Sequence, residues 1–358
     1  MQHRKTMLAA SIGAMFFALS HQAHAQAQGL EVKVSGQINR AFMSLRDGVQ
    51  SDTFHVDNSI SGTRIRVAGS APISPTLRAG AVAEFGYLSN ASDAVTFAAQ
   101  TATTGFVERH IDLYFEGSWG KVSLGQSDGA ANGGVEVDLS GTTVAQFADA
   151  IAIGGAFAFR NSSTGALGPT IAATTSQQDF ESRYDRIRYD TPNFNGFSGA
   201  ISSGTKANTN VSELALRYSG DLGEMGKLAG AVGYSKEGAA PGGIDDKVTG
   251  GSISWLMRNG ISATFATSNR DVAVNREGKF NYFKLGYQWG QHAVSGDYGR
   301  AKDEAAAGDN AKVMGLAYVY MPVRWAEIYG AYKKHTLDRP GTGFNDINIL
   351  MAGARLKF

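Results

Sequence analysis

The chain has 358 residues, with 33 Lys and Arg against 32 Asp and Glu, 45 glycines, 7 prolines and no cysteine. A near-neutral balance offers no basic surface for nucleic acid, and without cysteine the fold is held by packing and backbone hydrogen bonds. Aromatic and β-branched residues are too frequent for a disordered chain, and after the N-terminal segment no apolar stretch is long enough to cross a bilayer as a helix.

His3, Arg4 and Lys5 precede an apolar run of 13 residues, Met7 to Leu19, and Ala23-His24-Ala25 forms a small-x-small site before Gln26. The run falls short of the ~20 residues a spanning helix needs, so residues 1–25 are predicted to be a cleaved secretory signal peptide. Its loss removes Arg4 and Lys5 and leaves residues 26–358 with a net charge of −1. An exported chain with no spanning helix can cross a membrane only as a closed barrel, because lipid offers no partner to an unpaired backbone group.

Alternation with a period of two runs through the rest. Over 30–43, Val32, Val34, Gly36 and Ile38 oppose Lys33, Ser35, Gln37 and Asn39. Over 54–69, Ile65 and Val67 oppose Arg64 and Arg66; over 76–88, Ala79, Ala81, Ala83 and Phe85 oppose Arg78, Gly80 and Glu84. Over 106–116, Ile111, Leu113 and Phe115 oppose His110, Asp112 and Glu116. Further strands are predicted near 119–126, 182–192, 196–204, 210–219, 226–235, 247–257, 260–268, 278–289, 291–301, 311–321 and 325–334. In the last, 346–358, Leu350, Ala352, Ala354, Leu356 and Phe358 share one face, and Gly353, Arg355 and Lys357 the other. The total is sixteen antiparallel strands.

Seven short turns interleave with eight mostly longer segments, at 44–53, 89–105, 127–181, 205–209, 236–246, 269–277, 302–310 and 335–345. That asymmetry belongs to outer-membrane barrels, with tight periplasmic turns and longer outer loops. Soluble β-sandwiches alternate too, but the export signal, the charged face and the aromatics Trp119, Phe194, Phe197, Trp289 and Trp325 beside short turns favour an all-β transmembrane barrel. Sixteen strands leave a water-filled lumen.

Four passages resemble the general bacterial porins, the trimeric diffusion channels of Gram-negative outer membranes. They are Val34-Ser35-Gly36-Gln37-Ile38-Asn39-Arg40-Ala41, Thr63-Arg64-Ile65-Arg66-Val67-Ala68-Gly69, Arg188-Tyr189-Asp190-Thr191-Pro192-Asn193-Phe194-Asn195-Gly196-Phe197, and the terminal Arg355-Leu356-Lys357-Phe358. The resemblance spans 26–358. It implies a homotrimer passing small hydrophilic solutes, a third loop (127–181) folded into the lumen, and acidic loop residues set against a ladder of barrel arginines. Carried over by position, Arg64 and Arg109 match ladder arginines, Gln37 stands at a basic position and Glu84 at a luminal acid. Arg109 shares the parity of Ile111 and Leu113, which argues against it. Asp190 stands where some members have an arginine; Arg186 and Arg188 on the same face could restore the charge. Arg66 and Arg78 share the wet face as further candidates. The loop lacks the familiar Pro-Glu-Phe-Gly-Gly tip and is poor in acids, of which Glu136 and Asp138 are expected at the constriction, with a weak anion preference. Phe358 is implied as the residue read by the outer-membrane assembly machinery, and membrane lipid and lipopolysaccharide as surroundings.

Ala79, Ala81 and Ala83 make a small-residue outer face suited to a neighbouring subunit. Gly125-Gln126-Ser127-Asp128-Gly129 matches a nucleophile elbow but ends a strand with no helix after it. His55, His110, His292 and His335 lie in separate segments and form no metal spacing. No enzyme, cofactor or metal is therefore expected. The rival reading is a non-channel barrel acting as a surface adhesin or ligand-binding protein.

Overall fold

A computed structural model describes residues 29–239 and 243–358; the expected signal peptide lies outside them. The strands before the long third loop are β1 (Glu31–Arg46), β2 (Ser51–Asp57), β3 (Arg64–Ser74), β4 (Leu77–Tyr87), β5 (Phe106–Gly117) and β6 (Gly120–Asp128). Within that loop, β7 (Ala158–Arg160) and β8 (Leu167–Thr170) form a separate hairpin. Then follow β9 (Arg183–Asp190), β10 (Phe197–Lys206), β11 (Thr209–Asp221), β12 (Lys227–Glu237) and β13 (Asp246–Leu256). The circuit continues through β14 (Ile261–Ala273), β15 (Arg276–Trp289), β16 (His292–Lys302), β17 (Asn310–Val323), β18 (Ala326–Asp338) and β19 (Ile347–Lys357).

Each strand pairs antiparallel with its neighbour, and β1 meets β19 from Gln37 opposite Lys357 to Arg46 opposite Asn348, so the sheet closes. Two strands share one wall position: the upper part of β1 pairs with β2 and its lower part with β3. The barrel is therefore sixteen-stranded, but the single strand expected over 54–69 is broken. Asn58 caps a 3-10 turn at Ser59–Ser61, and the Asp57 carboxylate accepts the Thr63 N–H at 3.0 Å. Short polar side chains that satisfy nearby backbone groups stabilise such a step out of the ladder.

Two segments expected as longer loops are two-residue turns. Ala207 and Asn208 join β10 to β11 with φ of 45° and 75°, the left-handed pair that matches strand twist. Val274 and Asn275 join β14 to β15, which replaces the loop expected over 269–277.

Outward residues are apolar: Leu214, Leu216, Leu316, Leu350 and Leu356 are all exposed on the outer wall. Trp119, Phe194, Phe197, Trp289, Trp325 and Phe358 are exposed near the short turns, as an aromatic girdle requires. Phe358 extends the β1 pairing, its N–H donating to Gly36 O at 3.0 Å and its carbonyl accepting from Gly36 N–H at 2.8 Å. A Cβ on Gly36 would lie 2.6 Å from the Phe358 ring, so glycine makes room for it.

The inner wall is not uniformly polar. Met43, Leu45, Val56, Ile347, Ile349 and Met351 point inward and pack with Val144, Ile153, Phe157 and Phe159 of the third loop. Burying each such side chain stabilises by roughly 1.5–3 kcal/mol, and this holds the loop inside the barrel. The β7–β8 hairpin reaches up to the rim, where Arg160 Nε meets Asp47 Oδ2 at 2.7 Å and Phe159 meets Phe344 edge-on.

Candidate pore constriction

Opposite the filled side, the wall from β3 to β9 carries arginines around one carboxylate. Arg64 and Arg66 alternate inward on β3, and their Nε and Nη1 lie 3.8 and 3.6 Å from the Glu84 carboxylate of β4. Arg109 Nε donates to Glu84 Oε1 at 2.6 Å. Simple parity sends Arg109 to lipid; a β-bulge between Glu84 and Phe85 leaves Arg109 as the extra residue of β5, so it and His110 both turn to the lumen. The charges of Arg183 and Arg355 also reach Arg64, though each has its own acid, Asp128 at 3.7 Å and Glu327 at 2.6 Å. One acid thus faces an excess of guanidinium groups.

The third loop carries acids of its own. Burial and the neighbouring charges of Asp179 and Asp149 push the Glu136 carboxyl well above its ordinary range, and the charge of Asp128 on β6 reaches it. Burial raises Asp149 and Asp179 to about 6 each. Gln177 Nε2 donates to Glu136 at 3.0 Å.

The sequence model of the Gram-negative porin family matches residues 9–339. The chain belongs to that family. No curated protein sequence matches it. Among solved structures it is similar to an anion-selective porin from Comamonas acidovorans, at 17% identity and a TM-score of 0.64, over 92% of this chain and 100% of that one. It is also similar to the trimer form of OmpT, an outer membrane protein of Vibrio cholerae, at 15% identity and a TM-score of 0.57, over 92% and 100%. A mutant of the porin of Rh. blastica gives 15%, 0.57, 92% and 100%. Family and fold are those of outer-membrane channels for solutes.

Not every expected residue stands free in this porin's lumen. Gln37 is 6% exposed, and its Nε2 donates to Ser61 O at 2.6 Å and Gly62 O at 2.9 Å, holding the strand break in place. Arg78 lies near the short turns, bonded to Glu31 at 2.8 Å and to Ser70, apart from the Glu84 group. Arg186 is buried against Asp112 at 3.1 Å and donates to Asp128 O. Arg188 holds Asp190 and donates to Gly129 O at 2.7 Å, so the pair braces the start of the loop. Asp138 Oδ2 meets Lys284 Nζ of β15 at 2.7 Å with both side chains almost fully buried, and Lys284 also donates to Gln146 O at 2.6 Å. Asp138 therefore binds the loop to the wall.

Two contacts escaped the sequence reading. Glu213 of β11 accepts the backbone N–H of Ala131 at 3.3 Å and of Glu181 at 2.9 Å, joining both ends of the loop; its only sequence signal is an acid at an inward position. The histidines and the elbow serine are also less separate than their positions suggest. Ser127 Oγ and His110 Nδ1 are 2.7 Å apart, with His110 Nε2 at 3.7 Å from Glu84. Glu84 is too far to hydrogen-bond the ring and is shared among three arginines, so no nucleophile–base–acid relay is assembled.

Proposed function

We propose that this porin passes small hydrophilic solutes by passive diffusion with a preference for anions, through the gap between the Arg64, Arg66 and Arg109 wall and the loop acids Glu136, Asp149 and Asp179. The observation that carries the reading is the imbalance at Glu84, where one carboxylate is outnumbered by guanidinium groups in a confined, weakly screened space. Below neutral pH the raised loop carboxyls weaken the opposing charge further. Reversal potentials across a planar bilayer in a salt gradient test it. The sign should be that of anion permeation; clear cation preference would overturn the assignment. A surface adhesin would leave the bilayer silent at all voltages, whereas a porin gives uniform conductance steps.

The same reading includes a homotrimer in the outer-membrane lipid. Val67, Gly69, Ala81, Ala83, Ile111, Leu113 and Leu124 line a shallow outer depression of about 420 Å³, a shape that suits close packing of a neighbouring subunit. Phe358, exposed at the end of β19, is proposed as the signal for the assembly machinery. Deleting it should lower the amount of folded protein in the membrane, measured by heat-modifiable gel mobility, while Arg64→Gln should leave that amount unchanged.

A further inference from the structure

The break between β2 and β3 is bonded both to the third loop and to the arginine wall. On the loop side, Asn58 is fully buried; its Oδ1 accepts from Ile60 N–H at 3.1 Å, and its Nδ2 donates to Val144 O at 2.8 Å. On the wall side, Ser61 Oγ accepts from Arg355 Nη1 at 2.6 Å and from Arg64 Nη2 at 3.5 Å, and β3 begins at Arg64. One short step in the chain thus holds the loop at one end and starts the row of arginines at the other.

The segment after β4, expected as an outer loop over 89–105, is drawn into the same corner. Ala91 bridges to Asp57, Val95 is fully buried in the apolar cluster, and Phe97 meets Phe157 of the third loop edge-on at 5.1 Å. Ser92, also fully buried, is the hub. Its N–H donates to Asp57 O at 2.9 Å, and its carbonyl accepts from Gly154 N–H at 2.8 Å. Its Oγ accepts from Ser59 N–H at 2.9 Å and donates to Ala152 O at 2.6 Å, so one hydroxyl ties the break to the third loop. Ala156 N–H adds a bond to Asp93 O at 2.8 Å. Gly154 permits the close approach: its φ is 78°, and a Cβ there would lie 2.5 Å from Ile349 Cδ1.

The apolar cluster keeps the loop inside the barrel, but burial has no direction. The bonds of Asn58 and Ser92 do, and both lie where water cannot replace them. We propose that Asn58 and Ser92 are positioning residues for permeation: with the break at 58–63 they form a ledge that sets how far the third loop stands from Arg64, and hence the largest solute that passes. The assignment rests on the channel reading and names the residues that set its size limit.

Liposome swelling with neutral sugars, from a monosaccharide to a trisaccharide, tests this, with folded amounts set equal by heat-modifiable gel mobility. Neutral sugars read the width of the gap apart from its charge. In Ser92→Ala the ratio of trisaccharide to monosaccharide rates should rise about threefold, the equivalent of one ordinary hydrogen bond. Asn58→Ala, made separately, should move it the same way, and the double variant further. Trp255→Phe, which removes a 2.7 Å bond to Met225 O at the short-turn end, lowers stability away from the ledge and should leave the ratio unchanged. An unchanged ratio in either folded ledge variant, or an equal rise in Trp255→Phe, would overturn the proposal. Amide hydrogen exchange separates the two readings. Wild-type liposomes that swell with no sugar refute the channel, whereas unchanged exchange at Gly154 and Ala156 in Ser92→Ala refutes the ledge.

Discussion

The two sides of the inner wall solve opposite problems. From β15 round to β2 the wall is largely apolar where the third loop covers it, with Leu45, Ile347 and Ile349 at 1% exposure or less, and the cations it carries there, Lys284 and Lys333, are buried as well. From β3 to β9 it is polar and open, and Arg66 keeps nearly half of its side chain accessible. The covered side positions the loop, and the open side presents charge to whatever passes. Burial of charge differs accordingly. Lys284 and Asp138 are sealed as a desolvated pair, where loss of one partner is expensive; the Arg66 and Glu84 charges are partly screened by lumen water, so each contributes less.

The largest expected effect follows from the sealed pair. Lys284→Met leaves the Asp138 carboxylate buried without its cation, a cost of about 3–5 kcal/mol for such sites. The loop should detach locally, giving a lower thermal midpoint and noisier single-channel currents. Adding Asp138→Leu should restore most of both, because a hydrophobic pair of similar volume is tolerated there. If Lys284→Met alone gave steady wild-type currents, the loop would not depend on that contact.

A smaller effect is expected on the open side. Arg64→Gln/Arg66→Gln removes two cations and leaves Glu84 with Arg109, so the anion-to-cation permeability ratio should fall several-fold, on the order of 1 kcal/mol, with no change in thermal midpoint. Reversal potentials and melting curves on the same preparation separate the two sides of the wall. A stability loss equal to that of Lys284→Met would erase the contrast between them.

These two sides also explain what the sequence disclosed. Arg64, Arg66 and Glu84 were legible because one face of their strands meets water and the other lipid, which gives clean alternation. Around Met43, Leu45, Ile347 and Ile349 the inward face is apolar and the outward face carries Ser44, Arg46 and Asn348, so the alternation inverts; Leu45 fell in an expected loop over 44–53 although β1 runs to Arg46. Arg109 was illegible for another reason: a bulge is a register event between two strands and leaves no mark on one of them. Asp138 was recognisable as a loop acid, but its partner lies 146 positions away, and no local pattern joins them. The break at 58–63 does leave a local mark: in an unbroken strand Ser59 and Ser61 would share the lipid face of Ile65 and Val67.

The finest test of the contrast uses pH. Asp149 and Asp179, both raised to about 6 by burial, are largely charged at pH 8 and largely neutral at pH 5. Acidification therefore removes negative charge from the loop while the arginines of the opposite wall stay protonated. The anion preference should grow as pH falls from 8 to 5, by less than about twofold, since the acids lie on the loop and the field is shared with the lumen water. His110 lies beside Glu84 and can gain charge over the same interval, so the measurement belongs in a His110→Asn background. Glu136→Gln/Asp149→Asn/Asp179→Asn should abolish most of the remaining pH dependence by fixing the low-pH charge state of the loop at every pH. A full pH response that survives in that quadruple variant would place the titrating groups on the barrel wall, and the loop would then act by its shape alone.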